Sequence, residues 1–313
     1  MWKGSTPAQS LRDMINLAQW AEALGYQRYW VAEHHNTLSI ASSSPPVLVG
    51  RLASVTARLR VGSGGVMLPN HPPLVVAEQF GTLEALHPGR IDLGIGRAPG
   101  TDPITARLLQ RNGDDFPSQL SELLGYFDDD AESAITAIPA ADNRPSIWLL
   151  GSGIASAELA GRLGLPYAFA HHINPENTGP ALARYRESFR PSAVSADPRV
   201  LVTAMVIAAD TQERAEWLAS SLGMMIVRMR NSLSHGRHTP PEEAAAHPYS
   251  PAERELIRER LSSRIIGGPK TVRRQIIELL KSTRADELMA ITLIHDQTDR
   301  IRSYELLSEL VQP

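Results

Sequence analysis

Two adjacent-histidine pairs, His34-His35 in YWVAEHHN and His171-His172 in YAFAHHIN, each follow a short apolar run. Imidazole titrates nearest neutrality among the side chains, so these positions suit proton transfer or metal ligation. Side chains alternate along a strand, so only one of two adjacent histidines faces a given side. A chelating pair on one strand end calls for His-x-His, and His-Glu-x-x-His is absent as well. A single histidine in such a place is more often a hydrogen-bonded structural residue than a catalyst. Two pairs at two strand ends favour a site, with one histidine as proton donor or acceptor.

Three further segments carry chemistry. VGSGGVMLPNHPP, residues 61–73, puts Gly62, Gly64 and Gly65 inside a strand rich in Val, Met and Leu. Glycine there marks a bulge or a close approach to the backbone, either a packing bend or the bed of a flat ligand. RIDLGIGRAPGTD, residues 90–102, places Arg97 just past a strand end, suited to a phosphate or to a surface ion pair. Its glycines are spaced G-x-G-x-x-x-G and Pro99 interrupts any helix, which excludes a dinucleotide fingerprint. IWLLGSGIASAELAGRLGLP, residues 147–166, breaks a buried strand at Gly151-Ser152-Gly153 and opens a helix at once. Backbone amides and the helix dipole make that turn a phosphate site, with Ser152 and Ser156 as hydroxyl donors. It has no Walker A lysine, which argues against a nucleoside triphosphate.

The elements that must position these residues alternate. Thr6, Pro7 and Gln9 read as an N-cap, first turn and capping-box residue, and Gly25 ends the first helix. Strands follow at 28–33, 59–68, 90–96, 146–150, 167–170, 199–208 and 287–293. Helices are expected at 46–56, 74–86, 119–127, 155–163, 180–189, 212–222, 270–282 and 299–311. Such alternation means parallel βα units, as an open doubly wound sheet or a closed (β/α)8 TIM-type barrel. A barrel calls for one more strand ahead of Ser5, and only Met1-Trp2-Lys3-Gly4 stand there. We read residues 1–313 as a single domain, with insertions near 101–145 and 223–265. The stretch 231–250, with His235, His238 and Pro240-Pro241, is polar and could serve as a lid.

Composition sets the outer bounds. The 313 residues carry 31 Lys+Arg against 34 Asp+Glu, a formal charge of −3, with 42% hydrophobic residues and no cysteine. No basic stripe offers itself to nucleic acid, and no apolar run approaches the ~20 residues of a membrane span. Disulfides and thiolate metal sites are excluded, and a cytoplasmic protein is expected.

The strings AEHHN, GSGGVMLPNHPPLVVAEQFGTLEALHPGRIDLGIGRAPGTD and the GSGIAS turn resemble the bacterial luciferase-like flavin monooxygenases. Within that superfamily they are closest to the luciferase-family oxidoreductase branch. The resemblance runs from Gly4 to the C-terminal helix. It implies a TIM-type barrel lacking its first β-strand in this chain, with reduced FMN, or in some relatives F420, at the C-terminal mouth. It also implies a partner flavin reductase, O2 and a small organic substrate, and a possible homodimer. His34 matches the histidine beside the flavin. Gly64–Gly65 matches a non-prolyl cis peptide beneath the ring, with Met67 beside it. Arg97 matches a phosphate-contacting arginine, Gly151, Ser152, Gly153 and Ser156 the phosphate turn, and His171 lies near the ring edge. Luciferase itself carries an acidic residue where Ser152 stands. The residues leave a metal-dependent hydrolase and a non-catalytic flavin-binding protein as alternatives.

Overall fold

The computed structural model describes residues 1–109, 115–128, 135–231 and 236–311. The chain divides into two compact units, Ala21–Gly151 and Met1–Trp20 with Ser152–Pro313.

The Ala21–Gly151 unit follows the βα pattern: β1 (Arg28–Val31), α2 (Pro45–Val55), β2 (Arg60–Ser63), β3 (Val66–Met67), α3 (Pro73–Leu86), β4 (Ile91–Gly96), α4 (Pro103–Leu108), α5 (Phe116–Gly125) and β5 (Ser146–Gly151). All pairings are parallel, β1 on β2, β2 and β3 on β4, and β4 on β5. All six residues of β4 are buried, as expected for a parallel strand covered on both faces. Phe80, Leu52, Ile91, Leu93 and Ile95 are fully enclosed.

At the N-terminal end of these strands Asp92 is completely buried. Its Oδ2 accepts from Arg28 Nη1 at 2.6 Å and Trp30 Nε1 at 2.9 Å, and its Oδ1 from Arg60 Nε and Nη2 at 3.0 and 2.6 Å. Three strands are thereby clamped at one carboxylate. Arg90 adds a second brace by donating to the Ala53 and Leu59 carbonyls and to Thr56 Oγ1, which closes the end of α2.

The other unit contains the start of α1 (Pro7–Ala23), then α6 (Ile154–Arg162), β6 (Tyr167–Ala170), α7 (Thr178–Ser188), β7 (Val200–Ala208), α8 (Gln212–Arg230), α9 (Pro241–Ala245), α10 (Pro251–Leu261), β8 (Ile265–Gly267), α11 (Pro269–Thr283), β9 (Glu287–Ile291) and α12 (Gln297–Val311). The long strand β7 pairs in parallel with β6, β8 and β9. Among the described residues no named strand precedes α1, and Trp2 makes an isolated parallel bridge to His238. Thr6 Oγ1 accepts from the Gln9 amide at 3.1 Å, the cap expected from the sequence.

Three differences from the sequence-based expectation have physical reasons. The strand expected at 59–68 is two strands, because the glycine cluster breaks the ladder. The helix expected to end at 222 runs on to Arg230, since Gly223 serves packing rather than termination: a Cβ there would stand 3.2 Å from Ile257 Cγ2 of α10. Beyond it, α10 and β8 were not anticipated at all, although Ser250 and Glu253 form a complete capping box. Residues 110–114 and 129–134 of the expected 101–145 insertion, and 232–235 of the second, His235 among them, lie outside the described residues.

Candidate functional site

In the Ala21–Gly151 unit the site begins as a register problem. Val61 pairs with Ile91 and Val66 with Ile95, so β2 and β3 use one residue more than β4 over the same span. The extra residue is absorbed at Gly64–Gly65, whose peptide bond is cis. This is a bulge, rare between parallel strands and frequent beside functional sites. Gly94, opposite the bulge, has no ladder partner on that side, although it still pairs with Trp148 of β5. One hydroxyl takes that place, because Ser63 Oγ accepts from the Gly94 amide at 3.0 Å and donates to its carbonyl at 2.8 Å. A Cβ on Gly65 would fall 2.8 Å from the Gly94 carbonyl oxygen, so the packed side of the bulge accepts no larger residue.

A second buried carboxylate secures the chain after the bulge. Glu33, two residues beyond β1, is completely buried. Its Oε1 accepts from His35 Nε2 and His71 Nε2, both at 2.9 Å, and from Asn70 Nδ2 at 3.1 Å; Oε2 accepts from the Met67 amide at 3.0 Å. Burial alone would raise its pKa, but the hydrogen bonds from His71, His35 and Met67 outweigh that and hold it below the ordinary carboxylate value. The loop after β4 joins this end: the His35 amide donates to the Gly100 carbonyl at 3.0 Å, and Gly100 has φ +63° where a Cβ would meet the Glu33 carbonyl oxygen at 2.6 Å. Asn36, also at positive φ, donates to Asp102, the N-cap of α4, at 2.9 Å.

His34 stands outside the Glu33 hub. Its amide donates to the Ser42 carbonyl at 2.9 Å and its ring is half-buried. Burial lowers its pKa, against opposing contributions from the Gly100 backbone and the Glu33 charge, so the imidazole is neutral at neutral pH. Met67 is half-buried above the bulge, and Arg97, just past β4, is exposed.

In the other unit, the strand-to-helix turn leads through Ser152 and Gly153 into α6. Gly153 is the N-cap, with φ −151°, and a Cβ there would meet nothing within 4 Å. The first amides of a helix lack intrahelical partners, which makes such a turn a source of free donors. Ser156 faces inward: its hydroxyl donates to the Gly153 carbonyl at 2.9 Å and shares a 2.9 Å hydrogen bond with the Tyr167 hydroxyl. Burial pushes the Tyr167 phenol up to about 12, so it stays protonated. The loop after β6 braces the turn from its other side, with Asn174 Nδ2 on the Ser152 carbonyl at 3.1 Å. On that loop His171 Nδ1 meets Thr178 Oγ1 at 2.8 Å, and His172 Nδ1 meets Thr203 Oγ1 at 2.8 Å. Burial first, then the nearby Arg264, lowers the pKa of His171. For His172 burial lowers it to about 4.

Among the described residues no group of three or more His, Cys, Asp or Glu could hold a metal, and no helix is long and apolar enough to cross a membrane.

The family model for luciferase-like monooxygenases matches residues 2–287. The chain belongs to the luciferase-like monooxygenase family. A luciferase-like monooxygenase of Escherichia coli (strain K12) is 42% identical across 98% of this chain and 93% of its own length. The N-acetyl-S-alkylcysteine monooxygenase of Bacillus subtilis (strain 168) is 35% identical across 99% and 95%. The crystal structure of apo-MsnO8 superposes with a TM-score of 0.92 at 39% identity, covering 99% and 94% of the two chains. The fold of this luciferase-like chain is accordingly the α/β TIM-barrel type. More distant structures share the fold alone. They include the FMN-bound oxygenating constituent of 3,6-diketocamphane monooxygenase from Pseudomonas putida, at 20% identity and TM-score 0.74. Another is an F420-dependent secondary alcohol dehydrogenase, at 14% and 0.71.

Reading the sequence for function had singled out His34, the glycines, Met67, Arg97, the 151–156 turn and His171, but not Glu33, His71, Ser63, Tyr167 or Asn174. Glu33 and His71 stand 38 positions apart, and no local spacing signals their contact. An acid before two histidines in AEHHN was the one visible hint.

Proposed function

We propose that this luciferase-like chain is a flavin-dependent monooxygenase that binds reduced FMN and uses O2 to oxidise a small organic substrate. The observation that carries this reading is the Gly64–Gly65 bulge, fixed through Met67 by the Glu33 hub and flanked in the chain's architecture by a neutral His34. A flat ring needs backbone it can approach closely, and this reading assigns that place to the half-buried Gly64 side of the bulge, whose Gly65 is packed against Gly94. A phosphate needs amide donors with room in front of them, as at Gly153. Each unit by itself thus offers one part of what a flavin mononucleotide requires.

In this reading Gly64, Gly65 and Met67 support the ring. Arg97 and the amides of Gly151, Ser152 and Gly153 take the phosphate, and Ser156 stiffens that turn through the Gly153 carbonyl. His171 lies toward the ring edge. Bound reduced flavin supplies two electrons for activating O2, so that one oxygen atom enters the substrate and the other leaves as water. His34, neutral and half-buried, accepts or returns a proton at its imidazole while the surrounding chain keeps bulk water away. The N-acetyl-S-alkylcysteine monooxygenase relative supports a small organic molecule as substrate. A separate flavin reductase, a homodimeric state and a cytoplasmic location complete the proposal.

The experiment is anaerobic titration of the protein with photoreduced FMN, and in parallel with reduced F420, followed by mixing with air-saturated buffer. Tight binding of reduced FMN with slowed reoxidation supports the reading. Binding of F420 alone overturns it in favour of hydride transfer, and binding of neither overturns every flavin reading. Binding of reduced FMN with reoxidation no slower than free flavin leaves the non-catalytic flavin-binding alternative.

A further inference from the structure

Arg264, between α10 and β8, is a half-buried guanidinium without a counter-ion. Its backbone amide donates to the Leu261 carbonyl at 2.9 Å, and its Nη1 donates to the His172 carbonyl on the loop after β6. Among the described residues it makes no ion pair, and the neighbouring charge that bears on it is a second cation, Arg260. Arg300, Arg237 and Arg228 are half-buried and likewise make no ion pair among the described residues, donating to the Ile294 and Ser5 carbonyls and to Thr239 Oγ1. What sets Arg264 apart is its contact with the loop that braces the 151–153 turn. Arg28 and Arg60 meet Asp92, Arg184 and Arg162 meet Glu158, and Arg214 meets Asp299. Arg90 and Arg186 meet carbonyls at the ends of α2 and α11, where the helix dipole offsets a positive charge. The His172 carbonyl belongs to no helix end. A guanidinium offers five N–H donors in a planar fork, and withdrawing one from water without an anion is costly.

The surroundings are as cationic or neutral as the arginine requires of an anion site. His171 and His172 both lie within its field, and both are held neutral. The same loop carries Asn174, whose side chain holds the Ser152 carbonyl of the turn assigned to phosphate. Arg264 is thereby tied, within one unit, to the loop that braces the turn. We infer that Arg264 anchors a carboxylate of the substrate, so that the molecules oxidised here are small organic acids. This inference rests on the monooxygenase reading above. An oxyanion at Arg264 has two possible sources, a substrate carboxylate and the flavin phosphate, and the test separates them.

The test titrates the protein calorimetrically, with and without FMN, with N-acetyl-S-benzylcysteine and with its primary amide, in the wild type, Arg264→Gln and Arg264→Lys. Wild type should bind the acid roughly tenfold or more tightly than the amide, as a charge-assisted hydrogen-bonded pair warrants. Arg264→Gln should erase that preference, and Arg264→Lys should keep part of it, with circular dichroism unchanged in both. Affinities for FMN and riboflavin should not move. Equal binding of acid and amide, binding of neither, or a preference that survives in Arg264→Gln overturns the inference. Loss of FMN but not riboflavin binding in Arg264→Gln also overturns it and assigns the arginine to the phosphate. Failure of wild type to bind any flavin strikes the monooxygenase reading instead, and the acid–amide comparison without FMN still decides the fate of Arg264.

Discussion

Asp92 and Glu33 are both completely buried carboxylates in the same unit, each accepting several hydrogen bonds, and they are opposite in kind. Asp92, at the N-terminal end of β4, is held by two permanently charged guanidiniums and a neutral indole. Glu33, past the C-terminal end of β1, is surrounded by groups that carry charge only conditionally or never: two imidazoles, an amide side chain and a backbone N–H. Arginine stays charged at any accessible pH, so the positive partners in the first arrangement are constant. The second positions histidines and the chain beside the bulge without adding fixed positive charge there. Stability and chemistry thus use the same device, a buried anion, with different partners.

The comparison breaks most visibly at Asp92. Asp92→Ala removes the carboxylate that Arg28 and Arg60, whose side chains are 10% and 29% exposed, both meet. Removing one partner of such a buried cluster costs about 3–5 kcal/mol. Urea unfolding should show that loss or a failure to fold. A midpoint within experimental error of wild type would show that the clamp is not structural.

Glu33→Gln should cost less, about 1.5–3 kcal/mol, because its partners can remain neutral when the charge disappears. One amide oxygen cannot serve three donors on one side and the Met67 amide on the other. The variant should therefore weaken reduced-FMN binding as well as stability. Lowered stability with unchanged flavin affinity would make Glu33 a second structural clamp and dissolve the contrast with Asp92.

Much of this was legible in sequence where local chemistry decides it. Thr6-Pro7 starts α1, Gly25 at φ +82° ends it, and the glycine cluster at 62–65 marked where a strand would be interrupted. What was hidden depended on contacts between distant positions. Gly223 reads as a stop until Ile257 is seen packed against it. The three-residue β8, followed by Gly268 and Pro269, has the composition of a turn and becomes a strand only by pairing with β7. Glu33 is an unremarked acid until Asn70 and His71 fold back onto it.

Acid should separate two neighbours past β1, His34 and Glu33, by window. The folded pKa of His34 is lowered, so the folded state binds fewer protons than the unfolded chain below about 6.5, and stability declines as pH falls from there. The folded pKa of Glu33 is also lowered, so its contribution is present above about 4.3 and is lost as pH falls through the folded value. Melting temperature against pH should show the upper window reduced in His34→Ala and the lower one reduced in Glu33→Gln. If neither variant changes its window, the titrating groups lie elsewhere.

The smallest effect on stability should come from His34→Ala at neutral pH. The ring is half-buried and belongs to neither carboxylate hub, so truncation should cost about 1 kcal/mol or less. Flavin affinity should hold as well, because the Gly64–Gly65 ledge is fixed from Glu33 through Met67 and not through His34. Product formation, however, should fall by roughly 10²–10⁴-fold if the imidazole handles a proton in the reaction. Oxygen uptake should then yield hydrogen peroxide in place of oxidised substrate. A small structural cost joined to a large loss of coupled oxidation would make His34 the chemical counterpart of the Glu33 hub. Turnover at the wild-type level would remove His34 from the chemistry and leave the hub positioning something else.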